Sequence, residues 1–221
     1  MNYEIINSGS DGNCVIINGI LSLDCGVSYK KLAPYVKDLK LILLTHIHGD
    51  HFNKKTIEKL SKNRPTLRFG CCEWLVAPLL ELGIDKKRID VFKIGKKYDY
   101  ETFQIIAIKL YHDVPQCGYR VFMNNEKLIY CTDTYTLEGI KAIDYDYYLI
   151  EGNYENEEEL KSRGKDSYYV SRVKSTHLSK EYATNWLLDN MGLKSVYEFM
   201  HQHKERNKNN EWFNRKSRKS I

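Results

Sequence analysis

The stretch Leu41 to Asn53, LILLTHIHGDHFN, constrains this chain more than any other. It sets four metal-ligand side chains within six residues, directly behind a run of apolar strand formers. A near-continuous apolar run of this kind reads as a strand buried on both faces, which calls for layers of structure above and below it. His46 and His48 are two apart and leave the end of an extended segment toward the same side, whereas Asp50 and His51 fall in the turn that opens the next helix. One loop can then serve two adjacent metal sites. A histidine-rich surface turn would gain nothing from the spacing H-x-H-x-D-H. Imidazole and carboxylate donors without thiolate suit zinc or manganese, with iron also compatible.

With 221 residues, 42% of them hydrophobic and 12% aromatic, the chain can bury one substantial core and leaves little length for a second domain. No apolar run approaches the roughly 20 residues that span a bilayer. The opening MNYEIINSG has neither a basic start nor an apolar secretory stretch, so a cytoplasmic location away from membranes is expected. Cys14, Cys25, Cys71, Cys72, Cys117 and Cys131 make no C-x-x-C pair. They read as small buried residues in a reducing compartment, not as a thiolate zinc site or a disulfide scaffold. Cys131, two residues before Asp133, is read as part of a strand packing into the core.

Charge is uneven along the chain. Residues 204–221 hold seven basic side chains against two acidic ones, which equals the +5 of the whole protein and leaves the rest near neutral. Trp212 and Phe213 interrupt this tail, so it combines cations for phosphates with aromatic faces for bases. A solvated terminus, with the two aromatics docked on the body or on a second subunit of a homodimer, explains it equally well.

Strand-like runs fall at Tyr3 to Ile6, Cys14 to Ile17, Ile20 to Leu23 and Leu41 to Leu44, with a helix from about Ser28 to Val36 between the last two. A helix to about Leu60 follows the histidine motif, and another from Glu73 to Leu82 lies between strands near Leu67 and Val91. Phe103 to Leu110, Tyr119 to Phe122, Leu128 to Cys131, Tyr147 to Glu151 and Val196 to Met200 read as further strands, with a hairpin turn at Met123 to Glu126. The acidic run Glu155 to Glu159 reads as a solvated helix face. Ser179 can cap a helix to about Met191, whose Ala183, Trp186 and Leu187 follow helical spacing. The pattern is that of an α/β chain.

Further candidates stand beside these elements. His112 follows the apolar run Phe103 to Tyr111, Asp133 follows LIYCTD, and His201 follows SVYEFM. Together with the opening Ser8-Gly-Ser-Asp-Gly-Asn13-Cys, the LSLDCG around Asp24, His112-Asp113, CTDT at Cys131 to Thr134 and THLSKE at His177, this ordered set resembles the metallo-β-lactamase superfamily. Within it, the set is similar to the small bacterial DNA exonucleases of the YycJ (WalJ) type. The likeness runs over about residues 2 to 203, which gives a hydrolase domain at 1–203 and a basic tail at 204–221.

The resemblance implies an αββα sandwich, two mixed sheets with helices outside, in a single domain. It implies one metal on His46, His48 and His112, another on Asp50, His51 and His201, and Asp133 reaching both. Asp24 would orient the histidine loop from behind, although a strand-to-turn cap also suits that position. His177 would contact phosphate or protonate the leaving oxygen, and Asp50 and His177 are the expected catalytic residues. The family continues past its last histidine with a serine, where this chain reads HQHKERN. His203 and His177 therefore stand beside His201 as candidates for the last ligand. Ser8, Ser10 and Asn13 could contact phosphate, though a tight turn explains their glycines equally well.

Two divalent ions would lower the pKa of a shared water to supply hydroxide near neutral pH. The expected activity is hydrolysis of nucleic acid, as a DNA exonuclease. A phosphodiesterase for cyclic or small nucleotides is the leading alternative, followed by a thioester hydrolase of the glyoxalase II type and a metal-retaining binding protein without turnover.

Overall fold

Period-two burial along the strands builds the layers of this protein. On the strand Cys14–Ile17, Cys14 and Ile16 pack to one side and Val15 and Ile17 to the other, and all four are buried. Leu128 and Tyr130 likewise face one core while Ile129 and Cys131 face another. A strand can bury both faces only with a layer on each side.

The structure, a computed structural model, describes residues 1–202; His203 and the tail at 204–221 lie outside the described residues. The first sheet takes β1 (Tyr3–Asn7), β2 (Cys14–Ile17), β3 (Leu21–Leu23), β4 (Leu41–Leu43), β5 (Arg68–Cys72) and β6 (Ile89–Phe92) in that spatial order. Its first three strands are antiparallel, and β3 to β6 run parallel. The second sheet runs from β7 (Lys97–Tyr100) through β8 (Phe103–Lys109), β9 (Cys117–Met123), β10 (Glu126–Cys131) and β11 (Tyr147–Glu151) to β12 (Val196–Met200). Here β7 to β10 are antiparallel, and β10, β11 and β12 parallel.

Between the sheets, Val15, Leu23, Leu41 and Leu43 meet Ile105, Tyr119, Val121 and Tyr130. Outside the first sheet pack α1 (Tyr29–Leu32), α2 (Lys54–Asn63) and α3 (Val76–Glu81), through Leu32, Ile57, Leu60 and Leu79. In the second half lie α4 (Glu157–Ser162), α5 (Ser167–Thr176) and α6 (Lys180–Asn190); α6 covers its sheet with Ala183 and Leu187. The αββα sandwich is therefore the fold. No helix among the described residues is long and apolar enough to cross a membrane.

Several elements differ from the sequence expectation. The helix expected over 28–36 is one turn, because Pro34 has no N–H to return to Lys30 and the chain passes into turns. The segment from Glu73 begins as a 3-10 turn at Glu73–Leu75 before α3. Among the strands and α-helices, two were not anticipated. β7, KYDY, is a half-polar edge strand whose Tyr98 packs 4.8 Å from Phe92 and whose Tyr100 stacks on Phe103. α5, SYYVSRVKST, is rich in β-branched and hydroxyl residues of modest helix propensity, and its start is set by Asp166, which accepts from Tyr169 N.

Candidate metal centre

The site lies where strands end. Asp24 follows β3, Thr45 to His51 follow β4, His112 follows β8, Asp133 follows β10, Glu151 ends β11 and His201 follows β12. β3 and β4 run the same way, as do β8, β10, β11 and β12, the first of these through two antiparallel steps. Their carboxyl ends therefore share an edge of each sheet. Asp24, Asp133 and His201 each take a left-handed backbone, with φ of 59°, 52° and 50°. Aspartate and histidine tolerate this region better than the β-branched residues of the strands, and it breaks the extended run.

Every histidine among the described residues joins one cluster. His46, His48, His51, His112, His177 and His201 form a continuous chain of ring contacts, with centroids 4.3 to 5.9 Å apart. Three rings are oriented by their outward nitrogen. Nδ1 of His51 donates to Asp24 Oδ2 at 2.6 Å, Nδ1 of His112 donates to the Thr176 carbonyl at 3.0 Å, and Nδ1 of His46 lies 2.9 Å from Thr45 Oγ1. Thr45 Oγ1 in turn donates to Asp24 Oδ1, so it accepts from His46. Nε2 of each ring is thereby directed inward, as in metal sites where a hydrogen bond behind the imidazole fixes its tautomer.

The inward atoms stand at separations suited to shared cations. His46 Nε2 lies 3.2 Å from His48 Nδ1 and 3.3 Å from Asp133 Oδ2. Asp50 Oδ2 lies 3.5 Å from His201 Nε2 and 3.7 Å from His51 Nε2. A tetrahedral ion with bonds of about 2.0–2.1 Å has ligand edges of about 3.3 Å. His46, His48 and His112 can form one donor group, and His46, His51 and Asp133 another. A third combines Asp133, Glu151, His177 and His201. All six cysteines are free and buried, and none belongs to these groups.

Charge supplies an independent test of fit. Asp24, Asp133 and Glu151 are buried, and their ion pairs among the described residues are all with histidines. Buried carboxylates need positive charge beside them, which neutral imidazoles do not provide. Protons take that place without metal. Burial alone would lower the pKa of His51, but Asp133 and Asp24 outweigh it and hold it well above its ordinary value. For His201 the Asp133 and Glu151 carboxylates likewise overcome burial and raise it to about 10. Asp133 responds in the opposite sense, its burial outweighed by His51 and His201 so that its pKa is depressed. His46 differs, pushed down to about 4 by burial and by His51. His201 Nδ1 lies against Asp133 Oδ1 without the alignment of a hydrogen bond. The donor set thus fits divalent cations.

The remaining expected residues are placed as follows. Asp24 is fully buried, and its carboxylate also accepts from Thr45 N and the Tyr130 hydroxyl. His177 donates to Glu151 Oε1 at 2.6 Å and lies beside His112 and His201. The first loop, expected to contact phosphate, packs against the centre. Ser8 Oγ accepts from His201 N at 2.6 Å, and Asn13 is fully buried with Nδ2 2.7 Å from His51 Nε2 and 3.4 Å from Asp50 Oδ2. These contacts tie the first loop to the centre. Ser10 is exposed at the loop tip.

Glu151 escaped the sequence reading, and Asp113 entered it only as part of the His112-Asp113 motif, without a role of its own. Glu151 accepts from Thr134 N and from His177, and Asp113 Oδ1 lies 3.2 Å from His112 Nε2 and 3.5 Å from His48 Nε2. The signal for Glu151 was present: YYLIE is an apolar strand closed by an acid, the same pattern as LSLD at Asp24.

An αββα sandwich that gathers histidines and carboxylates at its strand ends defines a hydrolase that works with divalent metal. Residues 21–201 match the Beta-lactamase superfamily domain, and the chain belongs to that family. Over 230 aligned residues it is 28% identical to the exodeoxyribonuclease WalJ of Streptococcus pneumoniae serotype 2, covering 93% of this chain and 82% of that protein. Solved structures share the fold at low identity. The metallo-β-lactamase fold protein YhfI of Bacillus subtilis superposes with a TM-score of 0.71 at 15% identity, over 92% of this chain and 86% of the other. Human tRNase Z, short form, gives 0.70 at 15% identity, over 91% and 92%.

Proposed function

We propose that this protein is a phosphodiesterase that hydrolyses nucleic acid, acting on DNA as an exonuclease with two divalent cations, zinc or manganese. The observation that carries the chemistry is the convergence of six histidines with Asp50 and Asp133 on one cluster. The DNA substrate is supported by the likeness to WalJ along nearly the whole chain. In this reading His46, His48 and His112 hold one cation and Asp50, His51 and His201 the other, while Asp133 lies between the groups. Cations there supply Lewis acidity toward water and phosphate oxygens.

The side chains do the positioning. Asp24 and Thr45 bind the Nδ1 side of His51 and His46 and so direct Nε2 of each into the cluster, and Asn13 and Ser8 tie the first loop to Asp50 and to the backbone of His201. His177 is the proton donor. Burial opposes its charge, but Glu151 and Asp133 outweigh that and raise its pKa, which favours the protonated ring. Nδ1–H is bound by Glu151, and Nε2–H remains for the leaving oxygen.

The test is release of label from end-labelled linear duplex DNA with manganese or zinc, beside the Asp133→Ala protein. Metal-dependent stepwise digestion that the variant lacks supports the reading. Failure of metal-loaded protein to digest any strand overturns it in favour of a small nucleotide substrate, with cyclic nucleotides assayed next.

A further inference from the structure

An aromatic surface borders the metal centre. Three of the four most exposed tyrosines among the described residues gather there: Tyr111 is 39% exposed, Tyr135 44% and Tyr182 40%. Single exposed aromatics are ordinary, but a group of them beside a cluster of histidines and carboxylates calls for a cause. Tyr111 directly precedes His112, and Tyr135 lies two residues beyond Asp133. At about 3.8 Å between successive Cα atoms, neither backbone is more than about 8 Å from a cluster residue.

These tyrosines are held in place. Tyr111 N donates to Thr134 Oγ1 at 3.1 Å, and Tyr135 N donates to the Tyr111 carbonyl at 3.2 Å, which joins the loops after β8 and β10. The two rings are 5.9 Å apart and tilted by 48°, so they do not cover each other as a stacked pair would. Lys109 Nζ stands 4.8 Å from the Tyr111 centroid, and the Tyr182 hydroxyl lies 3.3 Å from Thr136 Oγ1, extending the surface toward α6. Backbone fixation lowers the entropy lost when a ligand settles on the rings.

Resting on the phosphodiesterase reading above, we propose that Tyr111 and Tyr135 form a stacking platform for the nucleobases beside the scissile phosphate, with Lys109 meeting the strand's charge. Aromatic faces accept any base, and a neighbouring cation favours the phosphodiester backbone. Such a platform holds a strand end without reading its sequence. The centre alone grips only phosphate, so the platform would make the protein discriminate between a nucleotide strand and a bare phosphodiester.

The experiment is a double-mutant cycle between rings and bases, using the full chain loaded with manganese. One single-stranded deoxyoligonucleotide carries natural bases, and a second of equal length carries abasic tetrahydrofuran residues at its two terminal nucleotides. The proteins are wild type, Tyr111→Leu/Tyr135→Leu, and Tyr111→Phe/Tyr135→Phe, each checked for metal content. Base stacking corresponds to roughly 5- to 150-fold in affinity per base. The wild-type and Phe proteins should show a KM at least fivefold lower for the natural strand, and the Leu protein should show the same KM for both. Equal KM values in wild type, or a preference retained by the Leu protein, would overturn the platform.

If wild type hydrolyses neither strand, the phosphodiesterase reading fails separately. Fluorescence anisotropy with the same labelled strands and metal-free protein then decides. Base-dependent binding lost only in the Leu protein supports the platform, whereas base-independent binding, or none, overturns it.

Discussion

Nδ1 of His51 donates to Oδ2 of Asp24 across 2.6 Å, with both side chains sealed from solvent. The same carboxylate accepts from Thr45 N, Thr45 Oγ1 and the Tyr130 hydroxyl, so one buried acid joins the ends of β3 and β4 to the second sheet. Asp24→Asn preserves the volume but weakens the acceptor and frees the His51 tautomer. A loss of about 10- to 100-fold in metal affinity is expected, read by titration against a competing chelator. Wild-type affinity would show that Asp24 merely caps its strand.

Gly26 is needed for a different reason. A Cβ built there would stand 1.6 Å from the Asp50 carbonyl oxygen and 2.2 Å from its carbon. Backbone cannot yield as a flexible side chain can, so Gly26→Ala must push the Asp50–His51 loop outward. Overpacking of this sort costs about 1–3 kcal/mol or more. Thermal denaturation should show a lowered midpoint, and metal content should fall with it; an unchanged protein would mean the loop has slack.

Glu151 and His177 should act as a unit. Glu151→Gln and His177→Ala are each expected to lower kcat by about 100-fold or more, and the double variant should be little worse than either alone. Multiplying losses would show that the two contribute independently.

Metal content should separate ligands from the proton donor. Asp133→Ala and Asp50→Ala are expected to lose bound metal and all turnover, whereas His177→Ala keeps its metal and loses rate. Elemental analysis of the purified proteins distinguishes these outcomes, and full metal with full activity in Asp133→Ala would refute a shared carboxylate.

Metal uptake should release protons. In the metal-free protein Asp133 and Glu151 overcome burial to raise His201 to about 10, and Asp133 and Asp24 raise His51 as well. Below their raised pKa values both rings are protonated, and a cation must displace those protons to bind Nε2. Apparent affinity therefore rises with pH from neutrality toward about 10 and falls as the solution is acidified. Calorimetry in buffers of different ionisation enthalpy should detect release of at least one proton per protein near pH 7; none would mean that the rings bind metal already neutral.

The basic tail makes a prediction of its own. Removing residues 207–221 should weaken DNA binding and flatten its salt dependence if the tail meets phosphates. An identical salt slope would return it to a solvated terminus.

Local sequence determined those features that repeat or compress. The H-x-H-x-D-H spacing, the alternation along β2 and β10, and the Ser179 cap, which accepts from Tyr182 N, are each written in neighbouring residues. β7 and α5 were less legible because their residues are half polar or of modest helix propensity, and each gains its stability from contacts formed at a distance. Tyr98 against Phe92 and Val173 against Leu160 are examples.

Tertiary structure alone decided how residues far apart in the chain share the centre. Glu151 meets His177 and His201 because β11 lies parallel between β10 and β12, and Ser8 reaches the His201 backbone across almost the whole length of the chain. Ser8 and Asn13 read from the sequence as phosphate contacts in a glycine-rich loop; only folding shows that Asn13 is buried beside His51 and that Ser8 accepts from the His201 backbone. The sequence supplied the donor types and their local spacing, which covalent geometry governs. Their partners, tautomers and charges follow from burial and strand order, which no single segment contains.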